Sequence, residues 1–248
     1  MTWSLVARDK LSGHLGVVVA TRFLAVGALV PFIASKVGAV ATQALVNPYY
    51  GIDGLQLLRN GHSPEEVLET LKSKDAGQAH RQVQVIDARG RVAAHTGAKC
   101  LPWSGHVLGN GFSIAGNMLT SKRVIDDALR AYIEGSALPF PRRLIRAMQA
   151  GEAAGGDRRG KQSAALIIMD DDEWPALDLR VDDHPSPLSE LDRLETVSHE
   201  EWVRYRPFVP TRSNPTGVTD HDVIDAAVRD GDARNMTNTG WRLCTAVS

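Results

Sequence analysis

The strand-like segments of this 248-residue chain come in adjacent groups separated by pairs of helices, and that order decides most of what it can fold into. Trp3 to Arg8 and Leu15 to Thr21 are β-branched runs joined through the turn formers Asp9, Ser12 and Gly13, which predicts a hairpin starting at residue 2. A continuous apolar run from Val37, "VGAVATQA", predicts a strand covered on both faces. Two helices follow, "GIDGLQLLRNG" and "SPEEVLETLKSKD", the second opened by a capping box of Ser63 and Glu66 with Pro64 in the first turn. Gln82 to Asp87 and Val92 to Thr96 form another hairpin around "ARGR", and "GFSIAGN" adds a strand. "SKRVIDDALRAYIEG" and "PRRLIRAMQAGEAAGG" then carry helical apolar spacing, before the strands "SAALIIMD" and "ALDLRV" and a last capped helix, "SPLSELDRLETV". Strands adjacent in sequence pair antiparallel, whereas a parallel sheet needs a crossover between each pair. The expected fold is α+β: two antiparallel sheets face to face with helix layers outside, a four-layer αββα sandwich over residues 1–203.

From Arg204 prolines fall among polar residues and only "HDVIDAAVRDG" is helical, so residues 204–248 are expected to form an arm on the domain or on a neighbouring subunit of a homo-oligomer. A hydrophobic content of 43% is enough for one large core, and a formal net charge of -1 supplies no field for nucleic acid or an anionic membrane. The most apolar region, Phe23 to Val46, is broken by Pro31, Ser35, Lys36 and glycines, which fits buried strands joined by a tight loop and not a membrane span. Cys100 and Cys244 make no disulfide framework and no metal spacing, and without a charged-then-apolar leader the expected location is the cytoplasm.

The stretch "GGDRRGKQS" nearly matches a phosphate-binding loop, with Gly155, Gly160 and Lys161 in register but Gln162 in place of the magnesium-holding hydroxyl. Such a loop must follow a strand and open a helix. This one closes a helix and leads into a strand, so nucleotide binding is rejected in favour of a Gly-rich helix C-cap.

The first strand begins at once after Met1, with Thr2. Removal of Met1 would leave Thr2 with a hydroxyl and a free α-amine, whose reference pKa of roughly 7.7–8.0 suits a general base. The hydroxyl would attack an amide carbonyl while the amine takes its proton. Stacked antiparallel sheets with a nucleophile opening a central strand are the architecture of N-terminal nucleophile (Ntn) hydrolases.

The stretches "TWSLVARD", "GVVVATRFLAVGALVP", "VGAVATQALVNPYYG", "RQVQVIDARGRVAAHTG", "CLPWSGH", "GNML", "AAGGDRRGKQSAAL" and "LRVDDHP" together resemble the domain of unknown function 1028 family, over roughly residues 2 to 200. The resemblance implies an Ntn-hydrolase-like fold and hydrolysis of a carbon–nitrogen amide bond, with no substrate and no cofactor attached. It makes "GGDRRGKQSAAL" a family motif, so that Asp157 and Gln162 become candidate site groups, against the reading that Arg158 and Arg159 only form loop salt bridges. By similarity to proteasome-like relatives, Lys36 would favour the neutral amine of Thr2, or else it is a solvated loop lysine. Where those relatives carry a carboxylate in the second strand this chain has Ala20, Thr21 and Arg22, which argues against peptide-bond cleavage.

Thr42, Gln43, Asn47, Thr96 and Arg22 are further candidates for orienting substrate, and Asn117, at a strand end, for donating to an oxyanion. His106 is a candidate acid–base group or a packed loop residue. Asp182, Asp183 and His184 lack a third spaced metal ligand, and Cys100 lacks a base. The function these features favour is an amidohydrolase acting on a small amide, lactam or carbamoyl compound with Thr2 as nucleophile. A threonine peptidase and a non-enzymatic small-ligand-binding protein are the alternatives.

Overall fold

The first strand, β1 (Thr2–Arg8), is buried along nearly its whole length because it lies between two neighbours in one sheet and has side chains needed on both faces. The computed structural model describes residues 2–230, so Met1, Cys244 and the rest of the expected arm beyond Asp230 lie outside the described residues. Around β1 run β2 (Leu15–Thr21), β8 (Phe112–Asn117), β7 (Gly105–Gly109), β9 (Ser163–Met169) and β10 (Leu177–Val181), in the order β10-β9-β2-β1-β8-β7. Every pairing is antiparallel. A second antiparallel sheet, in the order β3-β4-β5-β6, is formed by β3 (Pro31–Ala34), β4 (Gly38–Ala44), β5 (Arg81–Asp87) and β6 (Val92–Thr96).

The expected hairpins are present. Asp9 Oδ2 accepts from the backbone N–H of Ser12 at 2.9 Å, and Gly13 takes φ 81°, which closes the β1–β2 turn. The edge strands β3 and β7 went unpredicted, because their short runs carry no clear alternation. Helix α1 (Pro48–Arg59) starts before the predicted "GIDGLQ" stretch, with Asn47 Oδ1 accepting from Tyr49 N–H at 3.1 Å as its cap. Helix α2 (Pro64–Ser73) begins with the predicted reciprocal Ser63–Glu66 capping box.

The alternation of β1 sorts the core. Trp3, Leu5 and Ala7 point to one side, where α3 (Arg123–Glu134) and α4 (Phe140–Ala153) pack with the buried Val124, Leu144, Ile145 and Met148. Gly16 permits this approach, since a Cβ there would stand 2.7 Å from Leu144 Cδ1. On the other side Val6, Val17 and Val19 meet Ala39, Ala41 and Ile86 of the four-stranded sheet. The far face of that sheet is covered by α1 and α2, where Leu55, Leu58, Val67, Leu68 and Leu71 pack on Val40, Val83 and Val85. Each such burial is worth about 1.5–3 kcal/mol, which makes these seams the main stabilising element. Strand and helix groups therefore alternate along the chain as the sequence predicts.

An ion pair pins the start of β5. Arg81 Nε donates to Asp75 Oδ2 at 2.9 Å while its Nη1 reaches the Leu45 carbonyl at 2.7 Å, tying the ends of β4 and β5 together. The hydrogen bond from Arg81, aided by the Gly77 N–H and only partly opposed by burial, holds the Asp75 carboxyl down at about 2. A folded-state value below the unfolded one contributes stability above pH about 4, lost as pH falls toward 2. Acid unfolding of Asp75→Asn should therefore show a flatter decline between pH 4 and 2 than the parent, followed by circular dichroism; an identical slope would refute the assignment.

The chain divides into two compact units between Leu191 and Asp192. Helix α5 (Pro187–Ser198) crosses that division. In the second unit, α6 (Trp202–Tyr205) and α7 (His221–Asp230) are joined by Arg204 Nη1 donating to the Val228 carbonyl at 2.9 Å.

Candidate functional site

Thr2, Ser4 and Val6 share the face of β1 that looks at the second sheet, and the space between the sheets changes character along that face. Around Val6 it is apolar. Around Thr2 and Ser4 it is filled by amides: Gln43, Gln82, Gln84 and Asn117, each at most 2% exposed. Buried polar groups are costly unless partnered, so their bonds define a built structure.

Thr2 is 7% exposed and sits opposite Asn117 in the β1–β8 ladder. Its hydroxyl donates to the Thr21 hydroxyl at 3.2 Å. Its carbonyl accepts from Asn117 Nδ2 and from Gln43 Nε2, both at 3.3 Å. Gln82 fixes both clamps, with Oε1 accepting from Gln43 Nε2 at 2.8 Å and from Asn117 Nδ2 at 3.0 Å. The Gln82 amide nitrogen donates in turn to Thr96 Oγ1 at 2.9 Å, Gly105 O at 3.1 Å and Gly116 O at 2.8 Å. Thr96 Oγ1 meets His106 Nδ1 at 2.9 Å, which carries the network from Thr2 out to an exposed imidazole. Desolvation against the sheet, then the neighbouring His95, push the His106 pKa down and favour its neutral form at pH 7.

Both clamping amides precede a strained backbone position. Ala44, after Gln43, has φ 72°, and Met118, after Asn117, has φ 51°. A left-handed non-glycine residue costs about 1–2 kcal/mol, and such strain collects where surrounding structure holds a functional geometry.

Beyond Thr21 the chain turns into a second polar cluster. The fully shielded Asp157 carboxylate accepts from the backbone N–H of Arg22 and of Arg159, each at 2.8 Å, and pairs with the Arg159 guanidinium at 3.2 Å. Gln162 N–H donates to the Thr21 carbonyl at 3.0 Å, and its side-chain oxygen accepts from Arg22 Nη1. Arg22, Lys161, Gln162, Asp183, His184 and Pro185 line an open depression of about 170 Å³ there. The Gly-rich stretch behaves as expected: it leaves α4 through Gly155 at φ 121° and Gly156 at φ 52° and enters β9 at Ser163. Lys161 pairs with Glu152 at 2.7 Å.

The structure thus brings Thr2, Gln43, Asn117, Thr96 and His106 into one network, and Arg22, Asp157 and Gln162 into the adjoining cluster. It does not bring Lys36 to Thr2. Lys36 sits in the β3–β4 turn, 3.3 Å from Asp171 and beside Arg8, at the opposite end of β1, about 20 Å away at about 3.3 Å per residue. Thr42 alternates to the helix side of β4, where its hydroxyl donates to the Asn47 carbonyl at 3.2 Å, and Asn47 spends its side chain as the α1 cap. Asp157 is shielded and holds backbone and Arg159, so it shapes the cluster from behind. Sequence reading missed Gln82 and Thr21. The signal for Gln82 was present in "RQVQVID", where glutamines alternate with valines in a strand buried on both faces. Cys100 is buried, its thiol donating to the Arg81 carbonyl at 3.3 Å and pushed up in pKa by burial. Among the described residues no three His, Cys, Asp or Glu side chains are grouped to hold a metal, and no helix is long and apolar enough to cross a membrane.

The model of the family of unknown function DUF1028 matches residues 2–191. A crystal structure of a DUF1028 protein from Silicibacter pomeroyi is similar at TM-score 0.80 and 33% identity, covering 88% of this chain and 99% of that one. The Anbu (ancestral beta-subunit) protein from Yersinia bercovieri is similar at TM-score 0.37 and 12% identity, over 79% of this chain and 94% of that one. No protein of curated function matches the chain.

Proposed function

The chain belongs to the DUF1028 family, and from that premise and the surroundings of Thr2 we propose that it is an Ntn-type amidohydrolase on a four-layer αββα sandwich, acting on a small amide. The observation that carries the reading is the double clamp on the Thr2 carbonyl by Gln43 and Asn117, which with the Thr21 hydroxyl fixes residue 2 between the sheets.

With Met1 removed, the Thr2 α-amine accepts the hydroxyl proton as Oγ1 attacks the carbonyl carbon of the amide. A C–O bond forms, and the carbonyl electron pair moves onto oxygen. Collapse of this intermediate breaks the C–N bond, and the ammonium returns the proton to the departing amine. Water then hydrolyses the Thr2 ester by the same route, releasing a carboxylic acid and restoring the hydroxyl. The Thr21 hydroxyl orients the nucleophile through its bond to Oγ1, and the Thr2 hydroxyl proton turns from Thr21 to the amine as the attack begins. Both hydrogens of the Asn117 amide are spent, on Thr2 and Gln82, so Asn117 acts as a positioning residue and the oxyanion falls to a backbone N–H. Lys36 has no part in this mechanism. A cytoplasmic homo-oligomer completes the reading, following from the composition and from base rates of assembly.

Intact mass of the purified protein, before and after treatment with an electrophilic β-lactone, tests it. The expected result is a mass short by one methionine and an acyl adduct located on Thr2 by fragmentation. Met1 retained in hydrolytically active protein, or an adduct elsewhere, would overturn the mechanism.

A further inference from the structure

Arg22 and Asp183 stand in the same open depression with opposite charges that are not directly paired. Among the described residues, the Arg22 guanidinium meets only the neutral side-chain oxygen of Gln162, and Asp183 meets only Gln162 Nε2, at 3.1 Å. One amide therefore holds a cation and an anion apart on either side of itself. Lys161 is neutralised by Glu152, and Asp182 is paired with Arg180, so neither neighbour satisfies the separated charges. The backbone N–H of Ser186 donates to His184 Nδ1 at 3.0 Å, which holds the imidazole in this wall of the depression.

We propose that this depression binds the zwitterionic head of an α-amino acid, its carboxylate on Arg22 and its ammonium on Asp183, with Gln162 lying between the two. The geometry of the separation supports it. An α-amino carboxylate carries its two charges about as close together as the oxygen and nitrogen of a primary amide, so lying alongside the Gln162 amide it reaches Arg22 with one end and Asp183 with the other. A plain anion would leave Asp183 as a repulsive neighbour, and a plain amine would leave Arg22 so; only a ligand carrying both charges uses both. Arg is suited to the carboxylate because its planar fork donates two parallel bonds.

The position of the depression then specifies the rest of the ligand, and this step rests on the reading of Thr2 as nucleophile. Gln162 is bonded through its backbone to Thr21, and the Thr21 hydroxyl touches that of Thr2. The head group thus lies beside Arg22, one residue beyond the end of β2 and next in sequence to the partner of the nucleophile. A scissile carbonyl a few bonds from the α-carbon, an amide at the end of a short amino-acid side chain, spans that offset.

Calorimetric titration of the Thr2→Ala variant with L-glutamine separates the two claims, because binding is read without turnover. Glutaramic acid, which lacks the α-amine, and 4-aminobutanamide, which lacks the α-carboxylate, are the comparison ligands. L-Glutamine should bind, and each comparison ligand should bind about ten- to a hundredfold more weakly, the range for losing one charged hydrogen-bonding partner. Arg22→Ala should weaken glutamine by the same factor and leave 4-aminobutanamide unaffected; Asp183→Asn should do so for glutamine and leave glutaramic acid unaffected. Both side chains are exposed, so the variants keep the parent melting temperature. Equal binding of all three ligands, no binding of glutamine, or unchanged affinity in both variants overturns the proposal. Glutamine binding by both charged groups in a protein whose Thr2 proves inert would instead overturn the nucleophile and leave the head-group site standing.

Discussion

Thr2→Ala is expected to lower amide hydrolysis by about three orders of magnitude or more, the scale seen when a nucleophile is removed from an otherwise intact site. The fold should survive. The substitution removes the hydroxyl bond to Thr21 at 3.2 Å, worth about 1 kcal/mol, and leaves the carbonyl clamps of Gln43 and Asn117 in place. Alanine, like threonine, is small enough to permit removal of Met1, so where both intact masses are short by one methionine a lost rate reports the hydroxyl and not a blocked amine. Thr2→Ser keeps both the hydroxyl and the amine and should retain a measurable fraction of turnover. Steady-state rates with a chromogenic small amide, read beside intact masses of all three proteins, provide the check. A Thr2→Ala protein with undiminished turnover would move the chemistry to another residue.

How much of this could be read beforehand depended on whether a residue's role was local. The hairpin turn at Asp9 to Gly13 and the capping box at Ser63 are set by neighbours within a few positions, and both are legible in the sequence. Thr2 and Asn117 were legible as residues at strand ends, but their pairing belongs to the β1–β8 ladder, across 115 positions of sequence. Lys36 shows the opposite case. Its spacing from Thr2 is familiar from proteasome-like chains, yet spacing along a chain says nothing of which end of a strand a turn reaches, and this turn lies beside Arg8. Thr42 differs because one periodicity step turns a side chain from the space between the sheets to the helices, and Asn47 because its side chain caps α1. Gln82 was the costliest omission. A glutamine in a strand buried on both faces is costly unless partnered, which marks it as a network candidate; Gln84, two residues on, bonds Ser4 through Nε2 while its Oε1 finds no partner among the described residues, so the degree of satisfaction comes from the fold and not from the strand pattern.

That network makes Gln82 the position where one substitution should unsettle both stability and the site. Gln82→Leu preserves volume while removing an acceptor for two amides and a donor for three oxygens. Gln43 keeps bonds to Thr2 O and Ala115 O, and Asn117 keeps its bond to Thr2 O, so the loss is graded and not total. Leaving buried polar atoms short of partners costs about 1–3 kcal/mol each where no substitute is found, and with the remaining bonds counted the expected destabilisation is about 2–4 kcal/mol. Urea unfolding should show a lower midpoint at an unchanged slope. Gln56→Leu removes an exposed glutamine whose one bond, to Asn60 at 3.2 Å, is on a helix surface, and should stay within about 0.5 kcal/mol of the parent. The two glutamines thus separate burial from composition. On the proposed reading of Thr2 as nucleophile and of the depression as the substrate site, loss of Gln82, which touches Thr2 only through Gln43 and Asn117, should depress kcat more than it changes KM, because the nucleophile is held less well while binding is left intact. A Gln82→Leu protein as stable and as active as the parent would mean that the amides between the sheets are packing material and that Thr2 is held by its ladder alone.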